Sequence, residues 1–449
     1  MIKKVLIANR GEIALRVIRA CKELGLSTVA VYSTIDKDSL AVRFADEAVC
    51  IGPAPSNQSY LKASQLISAA EVTNSDAIHP GYGFFSENAN FAQMCINHNI
   101  AFLGPKPEII TSMGNKAQAR KTMQKVGVPV IPGSDGVISD YNKLKALAKD
   151  IGYPVLLKAN SGGGGRGMRI VNNVDELKKA YDAATSEAKA AFGDPDLYME
   201  KMVLDAKHIE VQILADKHGN VGSFGERDCS VQRRHQKLIE ESPSPIVDPE
   251  LRQKFGDTAK KAVRAVNYES AGTVEFLLDK DNNFYFIEMN TRIQVEHCVT
   301  EMVSGYDLVK GQIQVHLNKK LPQWINSFCL RGHSIECRIN AEDPNHNFRP
   351  SPGLITSLHV PGGPGTRFDS HIYQGYKIPP SYDSLIGKLI THGSDREEAI
   401  RRMERALEEL TIGGIATTIP FHLAIMRDDI FRKGDFHTGF LNTFKYKKP

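Results

Sequence analysis

The chain has 449 residues, of which 41% are hydrophobic and 24% are charged, a globular composition with room for roughly two to four subdomains. Its formal net charge of +4 is too small for a nucleic-acid-binding surface, so we expect no nucleic-acid partner. The sequence contains no apolar run of about 18 residues and no signal-peptide pattern, so we expect neither a membrane span nor secretion.

Strand and helix patterns alternate through residues 1–113. Apolar runs predict strands at 4–8 and 28–32, and an amphipathic pattern predicts a helix at 11–24 between them. This order predicts a doubly wound α/β unit. The first strand is not followed by a G-x-G-x-x-G pattern, so the sequence does not support dinucleotide binding there.

A glycine-rich segment follows the apolar run at 153–157. Lys158 ends that run, and five of the six residues at 162–167 are glycine. Glycines let backbone N–H groups approach an anion closely, and a neighbouring lysine adds a positive charge. The segment therefore predicts a loop that binds nucleotide phosphates, with a flexible Gly-rich linker as the alternative.

The order of these features argues against two nucleotide-binding classes. In a protein kinase the glycines precede the lysine strand and H-R-D and D-F-G triplets follow, whereas here Lys158 comes first and neither triplet occurs. No G-x-x-x-x-G-K-[ST] motif occurs either, which disfavours a Walker-type NTPase. A turn-rich stretch at 131–136 opens the segment that holds the glycines, and we expect this segment to be a lid.

Two apolar runs at 273–278 and 284–290 flank a polar turn and predict a β-hairpin. A turn centred near Asp281 would set Glu275 opposite Glu288, with Asn290 on the same face as Glu288. Two like charges about 4 Å apart repel by about 4 kcal/mol at an effective dielectric of 20, which a divalent cation would relieve. Oxygen ligands of this kind suit Mg²⁺. A solvent-facing acidic edge is the alternative.

The second strand is expected to continue through 291–297, so that Arg292, Gln294 and Glu296 alternate on the metal-bearing face. An arginine fork can hold a planar oxyanion while a carboxylate removes a proton. A salt-bridged strand is the alternative. The basic cluster at 226–237 suits a triphosphate and a second anion, although it could be a solvated loop.

A further domain is predicted to begin at residue 331. It contains a helix after Ser394, where Ser394-x-x-Glu397 predicts a capping box. The helix is predicted to bury one stripe of apolar side chains, which are Ala399, Ile400, Met403, Leu407 and Leu410.

Together with the segments at 7–13, 79–88 and 336–344, these features make the whole chain resemble biotin carboxylase, an ATP-grasp enzyme. The resemblance implies an α/β protein with α+β elements and an ATP-grasp fold. Its expected parts are an N-terminal doubly wound domain at 1–113, an ATP-grasp domain at 114–330 with a mobile lid at about 131–203, and a mixed C-terminal domain at 331–449.

The resemblance also implies roles for individual residues. The ATP-binding residues would be Lys116, Lys158, Gly164, Gly165, Glu200, Lys201, Met202, Val203, His208, Gln232 and His235, with 200–203 receiving the adenine. The ligands of Mg²⁺ or Mn²⁺ would be Glu275, Glu288 and Asn290. Bicarbonate would be held by Lys237, Arg292, Gln294 and Val295; Glu296 would be the base and Arg338 the biotin partner. Catalysis is thus expected to rest on Arg292, Glu296, Arg338 and Lys237.

Two residues depart from the family pattern: Ser161 stands where a further glycine is common, and Cys298 stands where proline or threonine is usual. Neither change removes a functional side chain. Ser161 lies at the expected hinge of the glycine loop, and Cys298 lies in the backbone just after the expected base.

The activity implied by the resemblance is ATP- and bicarbonate-dependent carboxylation of biotin through carboxyphosphate. No Ala-Met-Lys-Met biotinylation motif occurs, so the biotin is expected on a separate biotin carboxyl carrier protein. The expected setting is a cytoplasmic homodimer working with carboxyltransferase subunits as part of acetyl-CoA carboxylase, in fatty acid synthesis. Another acyl-CoA carboxylase or a pyruvate carboxylase is the alternative setting.

Two rival functions remain open at this point. Another ATP-grasp ligase would activate a carboxylate for attack by an amine. A non-catalytic nucleotide-binding subunit would only scaffold a carboxylase complex, although the complete set of charged site residues argues against it. Seven cysteines without a C-x-x-C pair indicate neither a zinc site nor a disulfide framework, in keeping with a reducing compartment.

Overall fold

The computed structural model describes residues 2–159, 168–326 and 329–446. Its N-terminal part contains a parallel sheet in the order β3-β2-β1-β4-β5. Alternate residues of β1 enter two different cores, because Val5 and Ile7 pack with α1 whereas Leu6 packs with α3 and α4. Helices therefore cover both faces, which confirms the doubly wound prediction. The elements are β1 (Lys4–Ile7), α1 (Gly11–Glu23), β2 (Ser27–Ser33), α2 (Leu40–Phe44), β3 (Glu47–Gly52), α3 (Ala63–Val72), β4 (Ala77–His79), α4 (Ala89–Asn97), β5 (Ala101–Phe102) and α5 (Pro107–Gly114).

The next segment forms a small antiparallel sheet in the order β7-β6-β8, covered by two helices. Its core joins Val155 and Leu157 of the central strand to Leu144 and Leu177 of the helices. Lys158 is thereby held at the end of a buried strand, as the sequence predicts; the mobility of this lid stays a prediction. The elements are α6 (Lys116–Lys125), α7 (Tyr141–Ile151), β6 (Val155–Ala159), β7 (Met168–Val171), α8 (Val174–Phe192) and β8 (Leu197–Lys201).

An eight-stranded sheet in the order β13-β12-β9-β10-β11-β14-β21-β19 forms the centre of the molecule. The strand β11 pairs with β14, so the sheet runs without a break from the hairpin strands to the C-terminal strands. The first part of this region comprises β9 (Lys207–Ala215), β10 (Val221–Arg233), β11 (Gln236–Ser242), α9 (Pro249–Ala265), β12 (Ser270–Leu278), β13 (Phe284–Asn290), α10 (His297–Ser304) and α11 (Leu308–His316).

The C-terminal elements provide the second half of this sheet, and the others among them follow or cover its strands. They are β14 (His333–Asn340), β15 (Glu342–Asp343), β16 (Arg349–Pro350), β17 (Gly353–Leu354), β18 (Ser357–His359), β19 (Thr366–Ser370), β20 (Lys377–Ile378), β21 (Leu385–Gly393), α12 (Arg396–Glu409), β22 (Thr411–Gly413), α13 (Ile419–Met426), α14 (Asp429–Lys433) and α15 (Phe440–Thr443). The predicted apolar stripe of α12 is buried.

The predicted cap of α12 is wrong by one residue. Asp395, not Ser394, is the N-cap residue, and its carboxylate accepts the N–H of Glu398 at 2.8 Å. Glu398 in turn accepts from the backbone N–H and the hydroxyl of Ser394. Aspartate competes well with serine as an N-cap, so the neighbouring Asp395 takes that role and shifts the box by one position.

No helix within the described residues has the length and apolarity needed to cross a lipid bilayer.

Candidate active site

The predicted hairpin places two carboxylates opposite each other. Glu275 on β12 is the direct cross-strand partner of Glu288 on β13, so the predicted pairing is confirmed. Asn290, two residues further, donates from Nδ2 to Glu275 Oε1 at 2.7 Å and accepts at Oδ1 from Arg292. The carboxylate and amide oxygens of these residues form an all-oxygen donor set of the kind that Mg²⁺ prefers.

The predicted continuation of β13 through residues 291–297 is wrong. The strand ends at Asn290, the chain turns, and α10 begins at His297 with Glu296 as its N-cap residue. The N–H of Thr291 donates to Glu87 at 2.9 Å instead of to a neighbouring strand. A side chain from the N-terminal part of the molecule thus satisfies the backbone group that a longer strand would have paired.

The three side chains expected to alternate on that strand nevertheless reach one site. Gln294 donates to Glu275 Oε1 at 2.8 Å, and Arg292 donates to Asn290 Oδ1 at 3.1 Å. Glu296 accepts from Lys237 at 2.7 Å. The turn between β13 and α10, and not the alternation of a longer strand, therefore brings these three side chains together.

Lys237 is the centre of the site. Its ammonium lies 2.5 Å from Glu210, 3.0 Å from Glu275 and 2.7 Å from Glu296. Burial alone would lower the pKa of Lys237, but the three carboxylates raise it well above its usual range. The lysine is therefore a fixed positive charge, and it is outnumbered by carboxylates, which suits a site that recruits a cation.

Glu210 is a site residue that the sequence reasoning missed. It lies on β9 directly beside Glu275, and burial would raise its pKa, but Lys237 and Arg227 lower the pKa to about 2. Its side chain is fully buried. The available signal was the His208-x-Glu210 spacing, which places Glu210 on the same strand face as the predicted ATP contact His208.

Arg227 anchors this side of the site from within the sheet. It is completely buried and donates to Glu210 at 2.5 Å and to Gln294 Oε1 at 2.7 Å. Since Gln294 also donates to Glu275, the amide is fixed at both ends. The sequence indicated a basic cluster at 226–237, but this member is an internal anchor rather than part of a solvated loop.

Arg292 is held by a residue from the N-terminal part of the chain. Its Nε donates to Glu87 Oε2 at 2.8 Å. Burial would lower the pKa of Arg292, but Glu87 raises it, so the guanidinium stays charged. Glu87 lies in the segment at 79–88, but the sequence does not predict it as a site residue, because it lies more than two hundred residues from its partner.

Glu296 and Arg338 meet at the far end of the site. Arg338 on β14 donates from Nη2 to Glu296 Oε2 at 3.0 Å and from Nε to Glu240 Oε1 at 2.6 Å. Burial would raise the pKa of Glu296, but Lys237 and Arg338 lower it, so the group is a carboxylate at neutral pH. The adjacent Val295 carbonyl accepts from Lys388 at 2.9 Å, a buried lysine that the sequence reasoning missed.

The two predicted phosphate-binding lysines lie on different elements: Lys116 begins α6, and Lys158 lies on β6 of the lid. Lys116 pairs with Glu288 at 3.1 Å. Lys158 forms an ion pair with Glu200, and Arg120 lies 3.5 Å from the same carboxylate. These contacts bring Lys116 and Lys158 close to predicted metal and adenine residues, respectively.

The residues predicted to receive adenine lie at the end of β8. Lys201 donates to the carbonyls of residues 152–153 at 2.8 and 2.9 Å, so its ammonium is fixed against the turn before β6. The N–H of Met202 donates to the carbonyl of Pro154 at 3.1 Å. Val203 continues this segment towards β9. The structure thus ties the predicted adenine segment to the lid.

Three further predicted ATP contacts occupy the large sheet. His208 lies 2.8 Å from Glu275 through Nε2, and its Nδ1 is 3.1 Å from the amide of Gln232. His235 lies in the turn between β10 and β11 and is exposed. The predicted phosphate contacts Gly164 and Gly165, together with Ser161, lie outside the described residues.

Comparison with known proteins gives a consistent result. Three family models match: the N-terminal domain of biotin carboxylase at residues 1–110, the ATP-binding domain of the carbamoyl-phosphate synthase L chain at 115–324, and the C-terminal domain of biotin carboxylase at 336–443. The chain is 58% identical over 438 residues to a biotin carboxylase of Nostoc sp., with 98% of each protein covered. It is 54% identical to a pyruvate carboxylase subunit from Methanothermobacter thermautotrophicus, with 99% of this chain and 90% of that protein covered.

Solved structures agree. A biotin carboxylase from Campylobacter jejuni in a β,γ-ATP complex has 54% identity and a TM-score of 0.96, with 99% of each chain covered. The biotin carboxylase domain dimer of a 2-oxoglutarate carboxylase from Hydrogenobacter thermophilus, in complex with MgADP, ADP and bicarbonate, has 50% identity and a TM-score of 0.95, with complete coverage of both chains.

The small lid, the large antiparallel sheet and the opposed carboxylates define an ATP-grasp enzyme. With matches along nearly its full length, the chain belongs to the biotin carboxylase family, whose members are ATP-dependent carboxylating enzymes.

Proposed function

We propose that this chain uses MgATP and bicarbonate to carboxylate biotin carried by a separate protein. The observation that supports this most directly is the position of Glu296. Its carboxylate lies between Lys237 and Arg338, at the end of a site that begins with the opposed pair Glu275 and Glu288. The proposed base, two cations and the proposed metal-binding carboxylates therefore adjoin one another.

The metal is proposed to bind Glu275, Glu288 and Asn290. Their donors are all oxygens, and two are carboxylates on adjacent strands, which fits Mg²⁺ or Mn²⁺. When bound, the ion would supply positive charge that stabilises the phosphates during phosphoryl transfer. The chain itself would supply Lys116 and Lys158 as point charges for the same phosphates.

The nucleotide is proposed to lie between the lid and the large sheet. His208, Gln232 and His235 would contact it from the sheet, and residues 200–203 would receive the adenine. Gly164 and Gly165 are proposed phosphate contacts on the basis of sequence alone. Lys201 donates to two carbonyls of the lid, so it would shape the adenine pocket as much as contact the base.

The first chemical step is proposed to be activation of bicarbonate. Arg292 and Lys237 would hold the anion, with Gln294 and the backbone of Val295 beside it. Glu296, ionised at neutral pH, would accept the proton of bicarbonate and so make its oxygen nucleophilic. Attack on the terminal phosphoryl group of ATP then gives carboxyphosphate and ADP.

The second step is proposed to be transfer of the carboxyl group. Carboxyphosphate breaks down to CO₂ and phosphate, and the phosphate takes the N1′ proton of biotin. Arg338 would stabilise the negative charge that develops on the ureido oxygen. The deprotonated N1′ then attacks CO₂, which forms the new C–N bond.

The setting is proposed to be acetyl-CoA carboxylase, and hence fatty acid synthesis, with a biotin carboxyl carrier protein and carboxyltransferase subunits as partners. Relatives named as subunits or domains of pyruvate and 2-oxoglutarate carboxylases support the alternative settings. A dimer described for one solved neighbour supports a homodimer here. Cytoplasmic localisation and the division at residues 113 and 330 stay predictions.

The test is ADP formation by the purified chain with MgATP and different acceptors. We expect turnover to require bicarbonate and to increase with free biotin, with carboxybiotin as the product. Turnover with amino acids but not with bicarbonate would instead favour an ATP-grasp ligase that activates a carboxylate for an amine. ATP binding without turnover under any of these conditions would favour a scaffolding subunit.

A further inference from the structure

Behind Arg338 lies a carboxylate that the proposed reaction does not use. Glu240 on β11 is fully buried, and its Oε1 accepts from Arg338 Nε at 2.6 Å. Its Oε2 has no hydrogen-bond partner within the described part of the chain. The cross-strand partner of Glu240 is Glu336 on β14, which is also fully buried and has two unpartnered oxygens there.

The contact to Glu240 sets the orientation of the guanidinium. Arg338 uses Nε for Glu240 and Nη2 for Glu296, and among the described residues no acceptor contacts its Nη1. Because a guanidinium is planar, fixing Nε and Nη2 also fixes the direction in which Nη1 points. A long arginine side chain otherwise retains considerable rotamer freedom.

We infer that Glu240 is a positioning residue for the carboxyl-transfer half of the reaction, where it holds Arg338 in line with the ureido oxygen of biotin. This inference rests on the proposed function of Arg338. Glu240 itself would not touch bicarbonate, nucleotide or biotin; it would act through the arginine. A charge-assisted hydrogen bond of this kind gives both energy and direction.

The surroundings of Glu240 argue against a purely stabilising role. Burial and the nearby Glu296 raise the pKa of Glu240 to about 7, although Arg338 opposes the shift. Burial also raises the pKa of Glu336 well above its usual range. A carboxyl group buried where its ionisation is unfavourable lowers the stability of the fold. Residues that lower stability in this way are expected at functional sites.

The next residue provides a matched structural pair. Glu241 is buried in the same strand, but it accepts from Nε and Nη2 of Arg396, at 2.7 and 3.1 Å, and lies 2.6 Å from His333. Its carboxylate faces α12 rather than the site. Glu241→Gln therefore controls for the loss of a buried carboxylate–arginine contact in β11.

The experiment measures ADP and carboxybiotin in the same reactions with free biotin, for the wild type, Glu240→Gln, Glu240→Asp and Glu241→Gln. Removing a residue that orients an active-site group typically lowers activity by about 10–100-fold. We expect Glu240→Gln to lower the carboxybiotin rate by about 10–100-fold and bicarbonate-dependent ADP formation by less than about threefold, with KM for ATP unchanged. Glu240→Asp should recover part of the loss, and Glu241→Gln should leave the ratio of products unchanged.

If the ratio of carboxybiotin to ADP in Glu240→Gln equals that of the wild type, whether or not both rates fall, the inference is overturned. If Glu240→Gln does not fold, as judged by its melting temperature, the same ratio measured in Glu240→Asp decides, and an unchanged ratio there is equally negative. A wild-type protein that makes ADP but no carboxybiotin would overturn the proposed function itself, which is a different result from a variant that fails to change the ratio.

Discussion

Two consecutive glutamates of β11, Glu240 and Glu241, form buried contacts with arginines on opposite faces of the same sheet. The pKa of the first is raised, and the pKa of the second is lowered. Burial and Glu296 raise the pKa of Glu240 to about 7. Burial would also raise the pKa of Glu241, but Arg396 and His333 lower it to about 2. The same residue type in the same strand is thus disfavoured as an anion on the site face and favoured on the other.

The difference lies in the number of partners. Glu241 pairs with Arg396 and His333, and no other carboxylate among the described residues hydrogen-bonds to either of them. Glu240 shares Arg338 with Glu296 and faces Glu336 across the strands. Ionised Glu240, on the face of the sheet that carries the site, is therefore less favourable than ionised Glu241 on the opposite face. This is expected where several negative charges are held together to bind a cation and to stabilise a developing anion.

The largest expected effect is at the metal edge of the site face. We expect Glu288→Gln to lower ATP turnover by about 10³-fold or more in saturating Mg²⁺, since metal stabilisation of phosphoryl transfer contributes several kcal/mol. ATP binding through Lys116 and Lys158 should persist in weakened form. Steady-state ADP formation and nucleotide binding measure the two effects.

Asp281→Asn, in the exposed turn of the same hairpin, is the control and should turn over ATP normally. Normal turnover by Glu288→Gln would contradict the metal assignment and would leave the opposed carboxylates without a function.

The next effect separates Glu296 from Arg338 on the same face. Glu296→Ala removes the base, so both ADP and carboxybiotin should fall together, by about 10²–10⁴-fold. Arg338→Ala should lower carboxybiotin by about 10²–10³-fold but retain a measurable share of ADP formation, because its charge acts after carboxyphosphate has formed. Both products are quantified in one reaction.

Affinity for ATP should change little in either variant. Equal losses of the two products in both variants would refute the division of labour between these residues, even if each proved essential.

The third prediction tests Glu241, on the face of the sheet opposite the site. A lowered pKa means that ionised Glu241 stabilises the fold above its ordinary pKa of about 4.3, and that this stability is lost as the pH falls toward 2. Glu241→Gln should therefore lower the free energy of unfolding at pH 7 by about 3 kcal/mol, with less effect near pH 3. Melting temperatures across this range measure the change.

The two products of the reaction should form in wild-type proportion in Glu241→Gln. If Glu241→Gln melts at the wild-type temperature at pH 7, the contact between Glu241 and Arg396 does not stabilise the fold, and the contrast with Glu240 is wrong.

The smallest expected effect is a gain in stability rather than a loss, and it concerns Glu240 on the face of the sheet that carries the site. A raised pKa means that Glu240 contributes stability below about pH 4.3 that is lost as the pH rises through about 7. The groups facing Glu240 are Arg338 and Glu336 from β14, Glu296 from the start of α10 and Lys237 from its own strand. Relative to the wild type, Glu240→Gln should gain melting temperature between pH 5 and pH 8.

Its sister variant Glu241→Gln should show no such gain over the same interval. If Glu240→Gln instead lost stability at pH 8, Glu240 would be a stabilising contact like Glu241, and the comparison would fail.

Much of the site follows from local patterns. Period-two alternation across a short turn predicted that Glu275 lies opposite Glu288, and the structure has this pairing. The same reasoning failed at residues 291–297, because Glu87 takes the Thr291 N–H and the chain turns. Alternation describes a strand only while another strand is available to pair with it.

By itself, the sequence determined which chemical groups this protein carries and how near neighbours are arranged: the doubly wound start, the lysine strand before the glycines, and the hairpin carboxylates. Each depends on residues a few positions apart. Tertiary structure alone decided the partners that tune those groups, such as Glu87 for Arg292, Glu210 for Lys237 and Glu240 for Arg338. These partners come from distant parts of the chain, and their contacts depend on the order in which the strands join the sheets, which no local pattern encodes.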